Sequence, residues 1–180
     1  MPGTTRPTAS LSITLPENLA AAIATHGEQT FPDECCGVLL GHEADGQRTV
    51  EQLLPIENEW DEEERRRRFL ITPQAMMRAE REARQRGLDI LGFYHSHPNA
   101  PARPSEFDRE HAWPWYSYLI ASIREGRFDV LAGWQLRDDR TAYDEVTIDL
   151  PTADDHPTHG SHPATEHTPD ATSDAAGEDE

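Results

Sequence analysis

The feature that most constrains this chain is an apolar run, residues 88–94, that ends in two histidines separated by one residue, His95 and His97. Side chains two positions apart in a β-strand point to the same side, so both imidazoles can reach one point. Pro98 follows at once and cannot donate a hydrogen bond to a neighbouring strand, which predicts the end of the strand. We therefore expect a strand that carries two converging imidazoles at its carboxyl end.

A carboxylate follows this pair, at Asp108. Two imidazoles and one carboxylate are a ligand set typical of a catalytic zinc, whose fourth position stays open for water. A His-x-His pair by itself is a weak signal, because most such pairs do not bind metal. We treat His95, His97 and Asp108 as candidate ligands of Zn²⁺, with iron and cobalt left open as metals that suit the same ligands.

The wider pattern is far more specific than the two histidines. After His-x-His come seven residues, then Ser105, two further residues and Asp108. A second block lies far upstream, where Glu34 is followed by Cys-Cys-Gly and an apolar strand. Together the two blocks resemble the motif of the JAMM (MPN+) zinc metalloproteases in every defined position, and the resemblance covers roughly residues 10–150.

The resemblance implies a role for each matched residue. The family holds its zinc with the residues that match His95, His97 and Asp108. Glu34 is implied as the group that takes a proton from the bound water and passes it to the leaving amine. Ser105 is implied as a hydrogen-bond donor to the reaction intermediate. Its residue type also predicts the N-cap of a helix that carries Asp108, and both uses need similar placement.

Three neighbours of these residues are expected to be structural. Ser96 lies between two residues that face the metal, so its side chain should face the opposite side of the strand. Cys35 and Cys36 are adjacent in sequence, and we expect buried small residues rather than ligands. Two adjacent cysteines imply no disulfide framework, which favours a reducing cytoplasm.

Charge and hydropathy exclude several classes of protein. The formal net charge is −18, and all sixteen basic residues are arginine. A chain this acidic is a poor nucleic-acid binder, because phosphate contacts need clustered positive charge. No apolar run approaches the roughly 18 residues of a membrane span, so we expect no membrane partner. The sequence leaves both a monomer and a homodimer open.

The chain is expected to contain one folded domain between two tails. We predict a disordered N-terminus at residues 1–9, the metalloprotease domain at 10–151 and an acidic disordered tail at 152–180, which contains no bulky apolar residue. Strands interspersed with helices predict the α/β class. The resemblance implies a curved mixed β-sheet flanked by helices, akin to the cytidine-deaminase-like fold.

Local patterns give the expected elements. One helix should begin at Pro16 and end at Gly27, and a second should begin at Thr72 and end at Gly87. A third should begin at Ser105. The methionines of the second helix are expected to fill the core. Strands are expected at residues 11–15, 38–41, 49–56, 69–72, 88–94, 118–123, 130–136 and 143–150.

Residues 57–68 form a charged segment that ends in three glutamates and four arginines. The simpler interpretation is a solvated loop whose charges compensate one another. The alternative is a patch that faces the substrate, because arginine binds carboxylates through two parallel hydrogen bonds.

The chain most resembles short prokaryotic JAMM proteins, which act on ubiquitin-like sulfur-carrier proteins that end in Gly-Gly. The resemblance therefore implies hydrolysis of the peptide or isopeptide bond after that tail, which could lie extended beside a sheet edge. One alternative is a general deconjugase that removes small ubiquitin-like modifiers from lysines. Another is a non-catalytic MPN scaffold, against which the intact ligands and Glu34 argue.

Overall fold

The computed structural model describes residues 11–151, so the expected tails at 1–9 and 152–180 lie outside the described residues. Within that range no helix is both long and apolar enough to cross a bilayer. The elements in chain order are β1 (Ser12–Thr14), α1 (Glu17–Thr30), β2 (Cys36–Ala44), β3 (Gln47–Ile56), α2 (Pro73–Arg86), β4 (Asp89–Pro98), α3 (Glu106–His111), β5 (Ser117–Arg124), β6 (Arg127–Leu136) and β7 (Tyr143–Asp149).

The strands form one mixed sheet that closes on itself in the order β1-β3-β2-β4-β5-β6-β7. Strand β1 closes the ring, because it pairs in parallel with both β3 and β7. Strands β4 and β5 are also parallel, and the remaining pairs are antiparallel. The expected α/β mixed sheet is confirmed. Because β1 pairs with β3 only at Arg48 and Thr49, residues 51–56 of β3 have one strand neighbour among the described residues.

Two apolar clusters lie on the two faces of β2 and β4. One cluster packs α1 against residues that include Leu39, and the other packs α2 against Val38 and Phe93. Side chains alternate along a strand, so His95 and His97 share the face of Phe93. The histidines therefore lie on the face of β4 against which α2 packs.

Gly27 does not end α1, contrary to the sequence expectation. The helix continues to Thr30, and Gly27 is buried within it. A Cβ atom at this position would lie 2.7 Å from Cδ1 of Ile123. The absence of a side chain thus allows α1 to pack closely against β5, a reason that depends on tertiary contact and not on helix capping.

Two further local expectations are wrong, the second in part. Residues 69–72 form no strand, since the backbone N–H of Leu70 donates to the side-chain oxygen of Asn58 (3.1 Å) instead of pairing with a strand. The expectation that the methionines of α2 fill the core holds for Met76, which packs against one apolar cluster, and is wrong for Met77, whose side chain is 61% exposed.

The start and end of α2 agree with the prediction. The Thr72 hydroxyl oxygen accepts a hydrogen bond from the backbone N–H of Ala75, and Gly87 ends the helix with φ 68°. The turn between β2 and β3 is also confirmed, with positive φ at both Asp45 (52°) and Gly46 (78°). Such a turn matches the twist of the two strands that it joins.

Candidate active site

The two histidines of β4 and the aspartate of α3 meet at one point. The Nε2 atoms of His95 and His97 are 3.0 Å apart. The Asp108 carboxylate places Oδ1 3.5 Å from Nε2 of His95 and Oδ2 3.5 Å from Nε2 of His97. In a tetrahedral zinc site with bonds of about 2.0–2.1 Å, ligand atoms lie roughly 3.3 Å from one another. The distance between the two imidazoles, and the distance from each imidazole to the nearer carboxylate oxygen, are therefore close to those of a zinc site.

The two imidazoles are oriented by different contacts. Nδ1 of His97 lies 2.9 Å from the carbonyl oxygen of Pro101. This contact favours a proton on Nδ1 and leaves the lone pair of Nε2 free for a metal. The ring of His95 stacks on Phe69, with centroids 4.6 Å apart, while its buried Nδ1 has no hydrogen-bond partner among the described residues. Packing against Phe69 thus holds His95.

Charge at this point favours a bound cation. Burial lowers the pKa of His95, which keeps its imidazole neutral. Burial alone would raise the pKa of Asp108, but interactions with the two imidazoles and a hydrogen bond from the backbone N–H of Ser105 outweigh it and hold that pKa well below its usual range. For His95 and Asp108 these are the protonation states that a zinc ligand needs. Burial alone would lower the pKa of His97 as well, but its hydrogen bond to Asp108 and the charge of Glu34 outweigh burial and raise it.

Glu34 lies beside the triangle of His95, His97 and Asp108 and is not part of it. Its carboxylate Oε1 is 4.0 Å from Nε2 of His97, and the residue is only 4% exposed. The compact group of potential metal ligands in residues 11–151 consists of His95, His97 and Asp108. Burial raises the pKa of Glu34 to about 8. The charge of His97 lowers this pKa and the charge of Asp108 raises it, both by less than burial does. A carboxyl group with this pKa can exchange protons near neutral pH.

The backbone of Glu34 is held by residues distant in sequence. Its N–H donates to the carbonyl oxygen of Arg65 (2.7 Å), and its carbonyl oxygen accepts from Nδ2 of Asn58 (3.0 Å). The next residue, Cys35, donates its N–H to the hydroxyl of Ser96 (2.9 Å). These bonds fix Glu34 between the charged loop and the strand that carries the histidines.

Ser105 forms the N-cap of α3, as predicted. Its hydroxyl oxygen accepts a hydrogen bond from the backbone N–H of Asp108 (3.1 Å) and donates to Oδ2 of the same residue (2.7 Å). The backbone N–H of Ser105 also donates to that Oδ2 (2.6 Å). The cap therefore orients the carboxylate that faces the two imidazoles.

A family model for prokaryotic homologues of the JAB domain matches residues 16–144, most of the chain and all of this site. The chain belongs to this prokaryotic JAB family. The match spans every described element except β1 and most of β7, and it agrees with the JAMM resemblance of the two sequence blocks.

Three relatives place this JAB domain more closely. It is 41% identical to a desampylase from Haloferax volcanii over 92 residues, 51% of this chain and 63% of that protein. It is 31% identical to a probable TtuB-protein conjugate cleaving protease from Thermus thermophilus over 110 residues, 61% of this chain and 70% of that protein. The solution structure of DSY2949 from Desulfitobacterium hafniense superposes with a TM-score of 0.67 at 31% identity, covering 82% of this chain and 99% of that one.

The three residues expected to be structural, Ser96, Cys35 and Cys36, are buried in this JAB domain. Ser96 is fully buried and faces away from the triangle of ligand atoms, where it accepts the hydrogen bond from Cys35. Cys35 and Cys36 are free, buried and outside the ligand group. His111 stacks on Phe107, with centroids 4.1 Å apart, and its Nδ1 lies 2.9 Å from the carbonyl oxygen of that residue.

Two cavities, each of about 380 Å³, border the candidate metal ligands of this JAB domain. The first shares His95 and Asp108 with the site and is otherwise mostly aromatic and apolar. The second contains Glu34, His97 and Ser105. Sequence analysis missed the first cavity, because its aromatic residues are scattered along the chain. They are Trp60, Phe69, Phe93, Phe107, Trp113, Trp115, Tyr116 and Tyr118.

Proposed function

We propose that this chain is a zinc-dependent peptidase or isopeptidase that hydrolyses the bond after the C-terminal Gly-Gly of a ubiquitin-like sulfur-carrier protein. The observation that carries the proposal is the triangle of His95, His97 and Asp108 with Glu34 beside it, buried and not a ligand. The names of the two relatives, a desampylase and a TtuB-conjugate protease, support a substrate of the ubiquitin-like class.

Hydrolysis of an amide needs a nucleophile at neutral pH and a proton for the departing nitrogen. His95, His97 and Asp108 would hold a zinc ion, which would supply Lewis acidity and lower the pKa of the attacking water to about 7. Glu34 takes the proton from the attacking water and delivers it to the nitrogen as the carbon–nitrogen bond breaks. A carboxyl group with its pKa raised to about 8 by burial is suited to both transfers near neutral pH.

Ser105 is assigned a second use in addition to its cap. Its hydroxyl donates to Oδ2 of Asp108 (2.7 Å), within reach of the same cavity as Glu34 and His97. Rotation of the hydroxyl hydrogen away from Asp108 directs it toward the carbonyl oxygen of a bound substrate. Such a donor stabilises the negative charge that develops on that oxygen.

The two cavities would hold the two sides of the bond that is cut. Glu34 must reach the leaving nitrogen, and it lines the second cavity together with His97. We therefore place the leaving group in the second cavity and the carrier tail in the apolar cavity beside His95 and Asp108. Apolar side chains of a carrier tail fit an aromatic lining. The two buried free thiols fit a reducing compartment such as the cytoplasm.

The test is cleavage of a carrier protein that ends in Gly-Gly and is extended by a single alanine. Intact-mass spectrometry should show loss of the alanine with zinc-loaded protein, no loss after chelation, and recovery when zinc is restored. A carrier whose last glycine is replaced by valine is the matched control and should resist cleavage. Stoichiometric zinc without cleavage of any Gly-Gly substrate would contradict the proposal, and a folded protein without metal affinity would favour a scaffold.

A carrier linked to the side chain of a lysine separates the proposal from the general deconjugase. A preference for the linear substrate supports an exopeptidase that releases an amino acid. Equal cleavage of many lysine conjugates supports general deconjugation.

A further inference from the structure

The four arginines at residues 65–68 differ in their contacts: the side chains of the first and last contact other described residues, and those of the two central ones have no hydrogen-bond or ion-pair partner among them. Nε of Arg65 donates to the carbonyl oxygen of Trp60 (2.7 Å). The guanidinium of Arg68 lies 4.8 Å from the centroid of the Phe107 ring and 3.5 Å from a carboxylate oxygen of Glu64. These two side chains stabilise the loop in which they occur.

The side chains of the two central arginines, Arg66 and Arg67, make no such contacts with the described residues. The side chains of Arg66 and Arg67 form no hydrogen bond and no ion pair with another described residue, and both line the second cavity beside Glu34. The loop that carries them is held to the site, because the carbonyl oxygen of Arg65 accepts the N–H of Glu34 (2.7 Å). Their position next to the site is therefore fixed by backbone contacts.

A third arginine enters the same cavity from a different loop. The N–H of Arg103 donates to the carbonyl oxygen of Pro101 (2.8 Å), the same oxygen that contacts Nδ1 of His97. Its side chain also has no hydrogen-bond or ion-pair partner among residues 11–151, and it lines the second cavity. Three arginines from two loops thus line one cavity together with Glu34.

The three arginines of the second cavity have no partner among the described residues, although the protein has 34 acidic residues against 16 arginines. Several arginines elsewhere pair with a carboxylate, for example Arg124 with Asp129 (2.7 Å) and Arg137 with Asp144 (2.6 Å). Arginines without a partner also occur singly on the described surface, such as Arg81, but only here do three line one cavity of those described. Glu34 does not neutralise the group, since its ion-pair contact is with His97. Guanidinium groups kept without a protein partner at a site are suited to bind an anion from the substrate.

We propose that Arg66, Arg67 and Arg103 form an anion subsite for a carboxylate of the leaving group. A guanidinium matches a carboxylate with two parallel hydrogen bonds, which gives both affinity and orientation. The assignment rests on the proposed hydrolysis, because it takes the cavity of Glu34 as the place of the departing amine. The carboxylate is either the α-carboxylate of a released amino acid or an acidic side chain beside a modified lysine.

The test measures binding as well as turnover. The first substrate pair is a Gly-Gly carrier extended by alanine with a free carboxylate, and the same protein with a C-terminal carboxamide. The second pair is the carrier joined to the lysine of a peptide that has either aspartate or asparagine next to that lysine. Dissociation constants are measured with zinc-loaded Glu34→Gln protein, which does not need to turn the substrate over. Values of kcat/KM are measured with the wild type.

The charged member of at least one pair should bind about tenfold or more tightly, the size expected of a charge-assisted hydrogen bond. The first pair reports an α-carboxylate and the second an acidic side chain. Replacement of Arg66, Arg67 and Arg103 by glutamine should remove that preference and leave binding of the uncharged member unchanged. Arg81→Gln, on the exposed face of α2 and outside both cavities, is the control and should keep the preference.

Equal affinity for the charged and uncharged members of both pairs would overturn the subsite, as would a preference that survives the triple replacement. Neither result bears on whether the carriers are cleaved. Absence of cleavage with a clear carboxylate preference in binding would instead contradict the proposed hydrolysis and leave the subsite standing.

Discussion

The hydroxyl of Ser96 accepts a hydrogen bond of 2.9 Å from the backbone N–H of Cys35, although 60 residues separate them in the chain. The N–H of Ser96 in turn donates to the carbonyl oxygen of Cys35 (3.1 Å). Ser96 lies between the two histidines, and Cys35 follows Glu34. This pair of bonds thus sets the proposed proton-transfer group against the strand that carries the proposed ligands.

The replacement Ser96→Ala should separate activity from metal binding. It leaves the buried N–H of Cys35 without its acceptor, which costs about 1–3 kcal/mol of unfolding free energy. A small displacement of Glu34 should lower kcat/KM by up to about a hundredfold, while zinc stoichiometry stays unchanged. Ser117→Ala is the control, because it removes another buried hydroxyl, which accepts a hydrogen bond from Arg48 at the start of β5. Equal loss of activity in both variants would contradict this account.

Removal of the Phe69 ring should weaken metal binding. The ring stacks on His95, whose Nδ1 has no hydrogen-bond partner among the described residues, so packing restrains the side of the imidazole that faces away from the ligand atoms. Loss of an aromatic contact worth about 0.5–1.5 kcal/mol should raise the Kd for zinc severalfold to about tenfold. Competition with a chelator measures the change. Phe128→Ala, at a partly exposed position on β6, should leave the Kd unaltered.

Asn58 should control the loop that carries the arginines. Its Nδ2 donates to the carbonyl oxygens of Glu34 (3.0 Å) and Arg68 (2.9 Å), and its Oδ1 accepts from the N–H groups of Trp60 and Leu70 (3.1 Å each). Asn58→Ala should increase the rate of tryptic cleavage after the arginine run and reduce kcat/KM. Asn58→Asp keeps the acceptor and loses the donors, so we expect an intermediate effect.

The control for this loop is Asn18→Ala, at an exposed position on α1. It should leave tryptic cleavage and activity unchanged. A loop equally resistant in Asn58→Ala and the wild type would show that the asparagine does not organise it.

The two cysteines should be unreactive in the folded protein. Both are buried, and burial raises the pKa of Cys35 to about 11 and that of Cys36 further. At pH 8 nearly all of either thiol is protonated, so a disulfide reagent such as DTNB should react only after denaturation. Rapid reaction of one thiol per folded chain would contradict the buried position.

The raised pKa values of the two thiols also determine whether stability rises or falls with pH. The unfolded thiols lose their protons near pH 9.0, whereas the folded Cys35 keeps its proton until about pH 11. The unfolded state therefore binds fewer protons in this interval, and the free energy of unfolding should fall as the pH rises through it. Denaturant melts at pH 8 and pH 10 measure the change, and a Cys35→Ala, Cys36→Ala variant should show a smaller fall.

Much of the proposed site follows from local sequence. Alternation along β4 brings His95 and His97 to one side, and the capping preference of Ser105 orients Asp108, so both features need only a few neighbouring residues. The contacts that support these two features do not follow from neighbouring residues. Phe69 against His95 and the carbonyl of Pro101 beside His97 depend on how two loops pack, and neither has a sequence signature.

Features of the fold also separate into those that follow from local sequence and those that depend on tertiary contact. The turn at Asp45 and Gly46 and the caps of α2 follow from residue type, because each needs a particular local backbone conformation. The closure of the sheet depends on β1, which has three residues and pairs with two distant strands. The continuation of α1 through Gly27 depends likewise on contact with β5.

The most direct test of the account is the zinc content and activity of the Glu34→Gln variant beside His97→Ala. The account predicts that Glu34→Gln binds one zinc per chain with wild-type affinity and loses cleavage after Gly-Gly by about a hundredfold or more. His97→Ala should lose both zinc and cleavage. Loss of zinc in Glu34→Gln would make Glu34 a ligand, and near-normal cleavage would remove it from catalysis; either result would contradict the central claim.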